Sequence, residues 1–219
     1  MNMTAAFSPL SWKTLFAAHV ETARRRWHST AAVAESIVAA TEAELVTKHL
    51  AGDPHAFAEL VKRYTNAIYN VTYRFTNDAH EAENLTQETF LRAWNVLPRI
   101  ALDKPLKPYF VKIAVNLCRD WAAQKKIAFE LPLETESETA YADETSDPLR
   151  AVSDEELRER VRAKLDELPA LLRTVITLRY TEEMSYEEMA AALDLPINTV
   201  RTHLHRAKMR LRELLEQER

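Results

Sequence analysis

The sequence has very little glycine and cysteine, and each shortage excludes a class of protein. Gly52 is the single glycine among 219 residues. This argues against a nucleotide-binding fold with a Gly-rich phosphate loop, because such loops need positive φ angles and close backbone approach. The same shortage disfavours β-proteins built on tight hairpins. Cys118 is the single cysteine, which excludes an internal disulfide and a cysteine-based metal cluster.

Long hydrophobic runs and clustered histidines are also missing. No apolar run approaches the roughly 18 residues that a membrane span needs, so we expect a soluble, cytoplasmic protein. The histidines are scattered, and no carboxylate–histidine pairing recurs at ligand spacing, so we predict no catalytic site, metal or cofactor. The net charge is −4, which means that any basic surface must be local. Ala, Leu, Glu and Arg dominate, and these helix-forming residues predict an all-α fold.

The chain separates into blocks of different composition. Residues 127–149 contain seven acids, two prolines and no Lys or Arg, a composition typical of a flexible linker. We therefore predict two small helical domains, at 41–126 and 153–219, joined by an acidic linker at 127–152. Residues 1–40 form a basic, amphipathic N-terminal extension. It predicts a helix that packs on this protein or a partner, with a transit peptide or a membrane-surface helix as alternatives.

The second domain carries the pattern of a helix-turn-helix. Ser185 and Glu188 stand at N-cap and N3 spacing, which predicts a capping box and the start of a short helix. Pro196 forces a turn, and a second helix begins near Ile197. Five apolar residues at helical spacing predict the buried face of that second helix: Val200, Leu204, Ala207, Leu211 and Leu214.

The exposed side of this second helix is cationic. Between Arg201 and Arg212 the sequence holds five cations, two histidines and no carboxylate. A solvated helix usually carries both signs of charge in i,i+4 pairs, so the pattern favours DNA over a plain surface. The N-terminal part of such a helix enters the major groove. The predicted duplex-binding residues are Asn198, Thr199, Arg201, Thr202, His205, Arg206, Lys208 and Arg210, the last two nearer the phosphates.

A second cationic segment lies in the first domain. Residues 104–126 contain six Lys and Arg residues against Asp120 alone. Aromatic residues lie among them, and aromatics beside cations suit single-stranded nucleic acid. The alternative is that the aromatics form core. We expect Phe110 and Trp121 to be core, and the role of Tyr109 stays open.

Three stretches together resemble a known family. "GDPHAFAELVKRYTNAIYNVTYRFTNDAHEAENLTQETFLRAWNVL" is similar to sigma region 2.1–2.2, and "PYFVKIAVNLCRDWAAQKK" is similar to regions 2.3–2.4. "LDELPALLRTVITLRYTEEMSYEEMAAALDLPINTVRTHLHRAKMRLREL" is similar to region 4. The resemblance covers about residues 45–126 and 153–215. The chain thus resembles extracytoplasmic-function (group 4) sigma factors of the sigma-70 family, bacterial initiation factors with only domains 2 and 4.

The resemblance implies partners and residue roles. It implies a sigma factor that directs core RNA polymerase to specific promoters and melts the −10 element. The beta-prime clamp helices would contact Glu83, Asn84, Gln87 and Glu88, and the beta flap would contact domain 4, which also binds the −35 duplex. The implied −10 contacts are Lys104, Lys107, Tyr109, Lys112, Asn116, Arg119 and Asp120. An anti-sigma factor is the default regulator in the family.

The sequence departs from the family in the helix-turn-helix. Asp194 and Asn198 replace turn glycines, and we expect both to tolerate a left-handed conformation. His203 stands where Arg or Lys is usual, so which base His203 and His205 read stays open. Two other readings are a helix-turn-helix regulator that binds duplex DNA without initiating transcription, and an interaction protein with degenerate DNA contacts.

Overall fold

The computed structural model describes residues 40–100, 105–126 and 155–217, and every regular element in these ranges is helical. The predicted all-α fold is confirmed. The predicted linker at 127–152, residues 1–39 of the predicted extension and Lys104 lie outside the described residues. The α-helices are α1 Glu42–Leu50, α2 Pro54–Thr76, α3 Ala79–Val96, α4 Lys107–Gln124, α5 Glu155–Asp166, α6 Ala170–Ile176, α7 Tyr186–Leu193 and α8 Ile197–Glu216.

The chain divides into two compact units, and the described part of the first contains residues 40–64 and 96–100. Its described part begins with a capping box on α1, in which Thr41 and Glu44 satisfy each other's backbone N–H groups. Asp53 then starts α2, because its Oδ1 accepts the N–H of His55 at 2.9 Å and Pro54 needs no donor at the first helical position. Both helix starts thus follow from local chemistry that the sequence displays.

The described part of the second unit contains residues 65–95, 105–126 and 155–217. Asn77, with φ of 54°, ends α2, and Asp78 Oδ1 accepts the N–H groups of His80 and Glu81 at 2.9 and 3.0 Å to start α3. The second half of α2 packs against α3 and α4 through one apolar cluster: Phe75, Leu85, Leu117, Cys118 and Ala122, with Ile113 and Trp121 against it.

Helix α4 begins with a proline in its first turn. It starts at Lys107, and Pro108 follows directly. Proline is tolerated there because the N–H groups of the first turn have no intrahelical acceptor. Phe110 is fully buried and meets Phe90 edge to face at 5.9 Å. Its predicted core role is confirmed.

The helix-turn-helix forms as the sequence predicts. Ser185 and Glu188 make the predicted capping box. Asp194 ends α7 in the left-handed conformation, with φ of 58°. The expectation for Asn198 is wrong, because this residue lies inside α8, which begins at Ile197 directly after Pro196. The predicted buried face of α8 is confirmed at all five positions, so the face that carries Arg201 points away from the core.

Candidate nucleic-acid interface

The outward face of α8 is polar and free of acids from Asn198 to Lys208. Asn198 and Arg201 near its start are exposed, and Thr202 is half-buried. The Thr202 hydroxyl donates to the carbonyl of Asn198 at 2.9 Å, which holds that side chain against the helix. Thr199, His205, Arg206 and Lys208 are half-buried, and Arg210 is exposed. All eight predicted duplex-binding residues therefore keep solvent-accessible surface on one helix.

One cation of this face is paired, against expectation. Arg210 Nη1 lies 2.9 Å from Glu213 Oε2, an i,i+3 pair between exposed side chains. The acid-free stretch identified from the sequence ends at Arg212, one position before Glu213. An exposed pair of this kind contributes about 1 kcal/mol or less. Arg210 is therefore a weaker candidate phosphate contact than Lys208.

His203 does not belong to the base-reading face. Its side chain is 4 % exposed, and its Nδ1 has no hydrogen-bond partner within the part of the chain that the structure describes. Burial lowers the pKa of this imidazole, and the nearby charge of Arg206 lowers the pKa further. His203 is therefore a neutral core residue, and the open question of which base it reads no longer arises. His205, two positions on, stays half-buried at the surface.

Two residues outside α8 belong to this surface and were missed from the sequence. The guanidinium of Arg201 lies 5.4 Å from the ring centroid of Tyr186 at the start of α7. Arg179 lies 5.1 Å from the same ring and donates to the carbonyl of Met184 at 2.9 Å. A guanidinium over an aromatic face is attracted by the ring quadrupole. Tyr186 therefore contacts both Arg201 and Arg179 through one ring, an arrangement that helical spacing could not reveal.

The cationic face of α4 is arranged differently from that of α8. Lys107 Nζ lies 3.0 Å from Glu182 Oε2, and Lys112 Nζ lies 3.2 Å from Asp194 Oδ1. Arg119 donates to the carbonyl of Leu193 at 2.7 Å. Three of the predicted −10 contacts thus bind acceptors from residues 182–194.

The remaining predicted −10 residues flank these cations. Tyr109 is half-buried, and Asn116 and Asp120 are exposed. Asp120 Oδ2 lies 3.9 Å from Arg92 Nη1 of α3. Trp121 is half-buried against the apolar cluster, and its indole Nε1 has no hydrogen-bond partner among the described residues.

A separate polar face lies on α3. Glu83, Asn84 and Gln87 are exposed, and Glu88 is half-buried. Glu88 Oε1 accepts from Arg92 Nε at 3.1 Å, and the Asn84 amide lies 3.3 Å from the His80 ring. Buried Ala82, Leu85, Thr86, Thr89 and Phe90 occupy the opposite side. The four predicted polymerase-contacting residues thus share one surface.

Within residues 40–100, 105–126 and 155–217, no group of three or more His, Cys, Asp or Glu side chains is placed to hold a metal ion. Burial raises the pKa of the Cys118 thiol, so this cysteine is an unreactive core residue. Among the described helices, none has the length and apolar character required to cross a membrane.

Comparison with known proteins identifies both domains. The family profile for sigma-70 region 2 matches residues 60–127, and the profile for sigma-70 region 4 matches residues 158–211. The chain is 36% identical over 170 residues to the ECF RNA polymerase sigma factor SigW of Bacillus subtilis, covering 75% of this chain and 91% of SigW. It is 31% identical over 180 residues to the RNA polymerase sigma-H factor of Pseudomonas aeruginosa, covering 79% and 93%.

Solved structures have the same fold. CnrH in complex with the cytosolic domain of CnrY superposes with a TM-score of 0.59 at 24% identity, covering 81% of this chain and 99% of CnrH. RpoE of Bartonella quintana, in complex with the anti-sigma factor NepR, gives a TM-score of 0.53 at 22% identity, covering 74% and 98%. With both sigma-70 regions present in order and relatives matched over nine-tenths of their length, the chain belongs to the extracytoplasmic-function family of RNA polymerase sigma factors.

Proposed function

We propose that this sigma factor reads the −35 duplex with α8 and the melted −10 strand with α4. The proposal for α8 rests chiefly on one observation, the acid-free outward face from Asn198 to Lys208 on the second helix of a helix-turn-helix. Arg and Lys near phosphates release counterions and supply salt-dependent affinity. Arg201, Thr202 and His205 reach base edges and supply specificity. Arg206 joins them, and Lys208 and Arg210 contact phosphates.

The same proposal includes Arg179 and Tyr186. Tyr186 is a positioning residue, because its ring holds the Arg201 guanidinium near the start of the recognition helix. Arg179 lies over that ring as well, 5.1 Å from its centroid. A DNA phosphate that approaches Arg201 is therefore attracted by the charge of Arg179 too. The duplex-binding surface therefore extends from α8 to the start of α7.

For α4, we propose single-strand capture by Lys104, Lys107, Tyr109, Lys112, Asn116, Arg119 and Asp120. Extruded bases favour aromatic and polar surroundings that compensate for lost stacking, and Tyr109 with its neighbouring cations offers both. The exposed face of α3, with Glu83, Asn84, Gln87 and Glu88, contacts core polymerase. In this proposal the protein acts in the cytoplasm as a non-enzymatic subunit of the polymerase.

In-vitro transcription with bacterial core polymerase and a promoter library tests this function. We expect transcripts from promoters that core polymerase alone leaves silent. A duplex-binding regulator cannot start such transcripts, so their absence across the library would favour the regulator. Replacing both Arg201 and Arg206 by alanine tests the alternative of an interaction protein with degenerate DNA contacts. That alternative predicts unchanged transcription.

We also propose a protein regulator of the anti-sigma class. This proposal is supported by the fold likeness to CnrH and RpoE, whose solved structures hold CnrY and an anti-sigma factor, respectively. A regulator that co-purifies with the chain should suppress reconstituted transcription at equimolar amounts, and unchanged output would remove it as a candidate. Residues 1–40 are a second candidate regulator, tested by deleting them and measuring core affinity and promoter output.

A further inference from the structure

A buried arginine joins the region-4 segment to the end of α2. Arg173 of α6 is 7 % exposed. Its guanidinium donates to the carbonyls of Arg74 and Phe75 in the last turn of α2, and to the carbonyl of Asp166 at the end of α5. Carbonyls in a last helical turn have no intrahelical donor and form the negative end of the helix dipole. Arg173 therefore caps two helices at once.

A buried carboxylate joins the same segment to α4. Glu182, which follows the π-helical turn at Thr177–Thr181, is 6 % exposed. Its carboxylate accepts from the amide of Asn70 in α2 at 3.0 Å and lies 3.0 Å from Lys107 Nζ. A buried carboxylate is costly unless it is paired and hydrogen-bonded. Because both partners of Glu182 lie outside the region-4 segment, separating the two regions leaves Glu182 without them.

A third set of contacts lies at the end of α7. The carbonyl of Leu193, in the last turn of α7, accepts from Arg119. Asp194, held in the left-handed conformation, places its carboxylate 3.2 Å from Lys112. Three cations are spread along α4, and each contacts an acceptor between residues 182 and 194: Lys107, Lys112 and Arg119. These three cations of the proposed −10 face are therefore engaged, and Asn116 and Asp120 on the same face stay exposed.

We infer that the free chain is self-closed, with residues 182–194 acting as an internal substitute for the phosphates of the −10 strand. This inference rests on the proposed role of α4. Glu182 and Asp194 compete with a DNA backbone for the same cations of α4. Single-stranded DNA therefore binds only the open fraction of molecules, and its apparent affinity is reduced by that fraction. Core polymerase opens the protein by binding α3 and the region-4 helices at separate sites.

Zero-length carbodiimide cross-linking of the full, unaltered chain tests the closed state. Lys112 and Asp194 are 42% and 74% exposed, so the reagent can reach the pair and convert it into an amide. Peptide mass spectrometry of the monomer should find the Lys112–Asp194 cross-link in the free chain, with at least a five-fold loss in a complex with core polymerase and promoter. A free chain without this cross-link, or an equal yield in the complex, would overturn the closed state.

Matched charge variants test the consequence for binding. Glu182→Gln and Asp194→Asn each remove one acceptor charge, and asparagine still tolerates the left-handed position. Glu187→Gln is the control, because Glu187 is an exposed acid of α7 and its loss changes the net charge equally. A labelled random pool of single-stranded DNA should bind the combined Glu182→Gln and Asp194→Asn variant about ten-fold more tightly than the wild type, while the control changes less than two-fold per charge. Equal gains per charge would contradict the inference.

The two proposals fail in different ways. Transcription from the promoter library without the cross-link in the free chain leaves the sigma function intact and removes the closed state. A cross-link without any transcription leaves a closed two-region protein and removes the initiation function. Circular dichroism of each variant before binding checks that its helices are intact, and the cross-linking result needs no variant.

Discussion

Helices α4 and α8 both carry rows of cations, and they differ in the groups that these cations contact. Lys107 and Lys112 of α4 reach the carboxylates of Glu182 and Asp194. On α8, Arg201 lies over an aromatic ring instead, and Arg210 pairs with Glu213 of the same helix. A lack of acids nearby in the sequence therefore does not exclude acidic partners from distant segments, as α4 shows. Distant segments decide which cations are accessible.

The largest effect on stability is expected for Arg173, the buried arginine that donates hydrogen bonds to the ends of α2 and α5. Arg173→Ala leaves the carbonyls of Arg74, Phe75 and Asp166 without their donor and creates a cavity, so we expect a loss of about 3 kcal/mol in the free energy of unfolding. Urea denaturation followed by circular dichroism measures it. Arg212→Ala, an exposed control on α8, should change stability by about 0.5 kcal/mol or less. Equal losses for the two variants would show that the hydrogen bonds of Arg173 add nothing measurable to the free energy of unfolding.

Replacing Arg201 by alanine tests whether the exposed face of α8 binds duplex DNA. Arg201→Ala should weaken binding to duplex promoter DNA by about 1–3 kcal/mol, roughly 5- to 150-fold, because a base-edge contact is lost. Fluorescence anisotropy with a mapped −35 duplex measures the affinity. Arg99→Ala removes the same charge from an exposed site outside the helix-turn-helix and should leave the affinity nearly unchanged. If both variants weaken binding equally, Arg201 acts only through net charge.

Tyr186 tests whether the ring orients Arg201. Tyr186→Leu removes a cation–π contact of about 0.5–1 kcal/mol, so we expect a 2- to 5-fold loss of duplex affinity. Tyr186→Phe keeps the ring and should restore wild-type affinity. The same duplex titration measures both variants. A phenylalanine variant as weak as the leucine variant would assign the effect to the hydroxyl group instead of to the ring.

The smallest effect is a pH dependence that distinguishes core from surface histidines. Burial lowers the pKa of folded His203 below its usual 6.5, so the unfolded chain binds a proton more readily. Stability contributed by neutral His203 is therefore present above pH 6.5 and declines as the pH falls below it. Urea midpoints between pH 7.5 and 5.5 measure this decline. His203→Leu should make the profile flatter, and an unchanged slope would place the titrating group elsewhere.

The local elements of this fold were predictable from sequence, and the long-range pairs were not. The starts of α2, α3 and α7 follow from Asp53, Asp78 and Ser185, whose side chains bind backbone groups two or three residues away. The buried face of α8 follows from its helical period. Glu182 has no such signal, since its partner Lys107 lies 75 residues away. Helical periodicity reports which face is buried, but it carries no information about the partner.

His203 shows a second limit of sequence patterns. It lies two positions before His205 in a polar stretch of α8, so the sequence alone favours a position on the polar helix face. The turn of α8 nevertheless places its ring in the core, at 4 % exposure. A histidine is equally compatible with both environments, because one end of the ring is apolar and its neutral form tolerates burial. Only the packing of neighbouring helices distinguishes the two cases.

Lysine acetylation of the full chain tests the contrast between α4 and α8 most directly. Mass spectrometry measures the acetylation rates of Lys208 on α8 and Lys107 on α4, with and without a duplex carrying the −35 element. We predict that Lys208 reacts faster in the free chain and that the duplex protects it several-fold. Lys107, paired with buried Glu182, should react slowly, and the duplex should leave its rate unchanged. Rapid acetylation of Lys107 in the free chain, or equal protection of both lysines, would contradict the account.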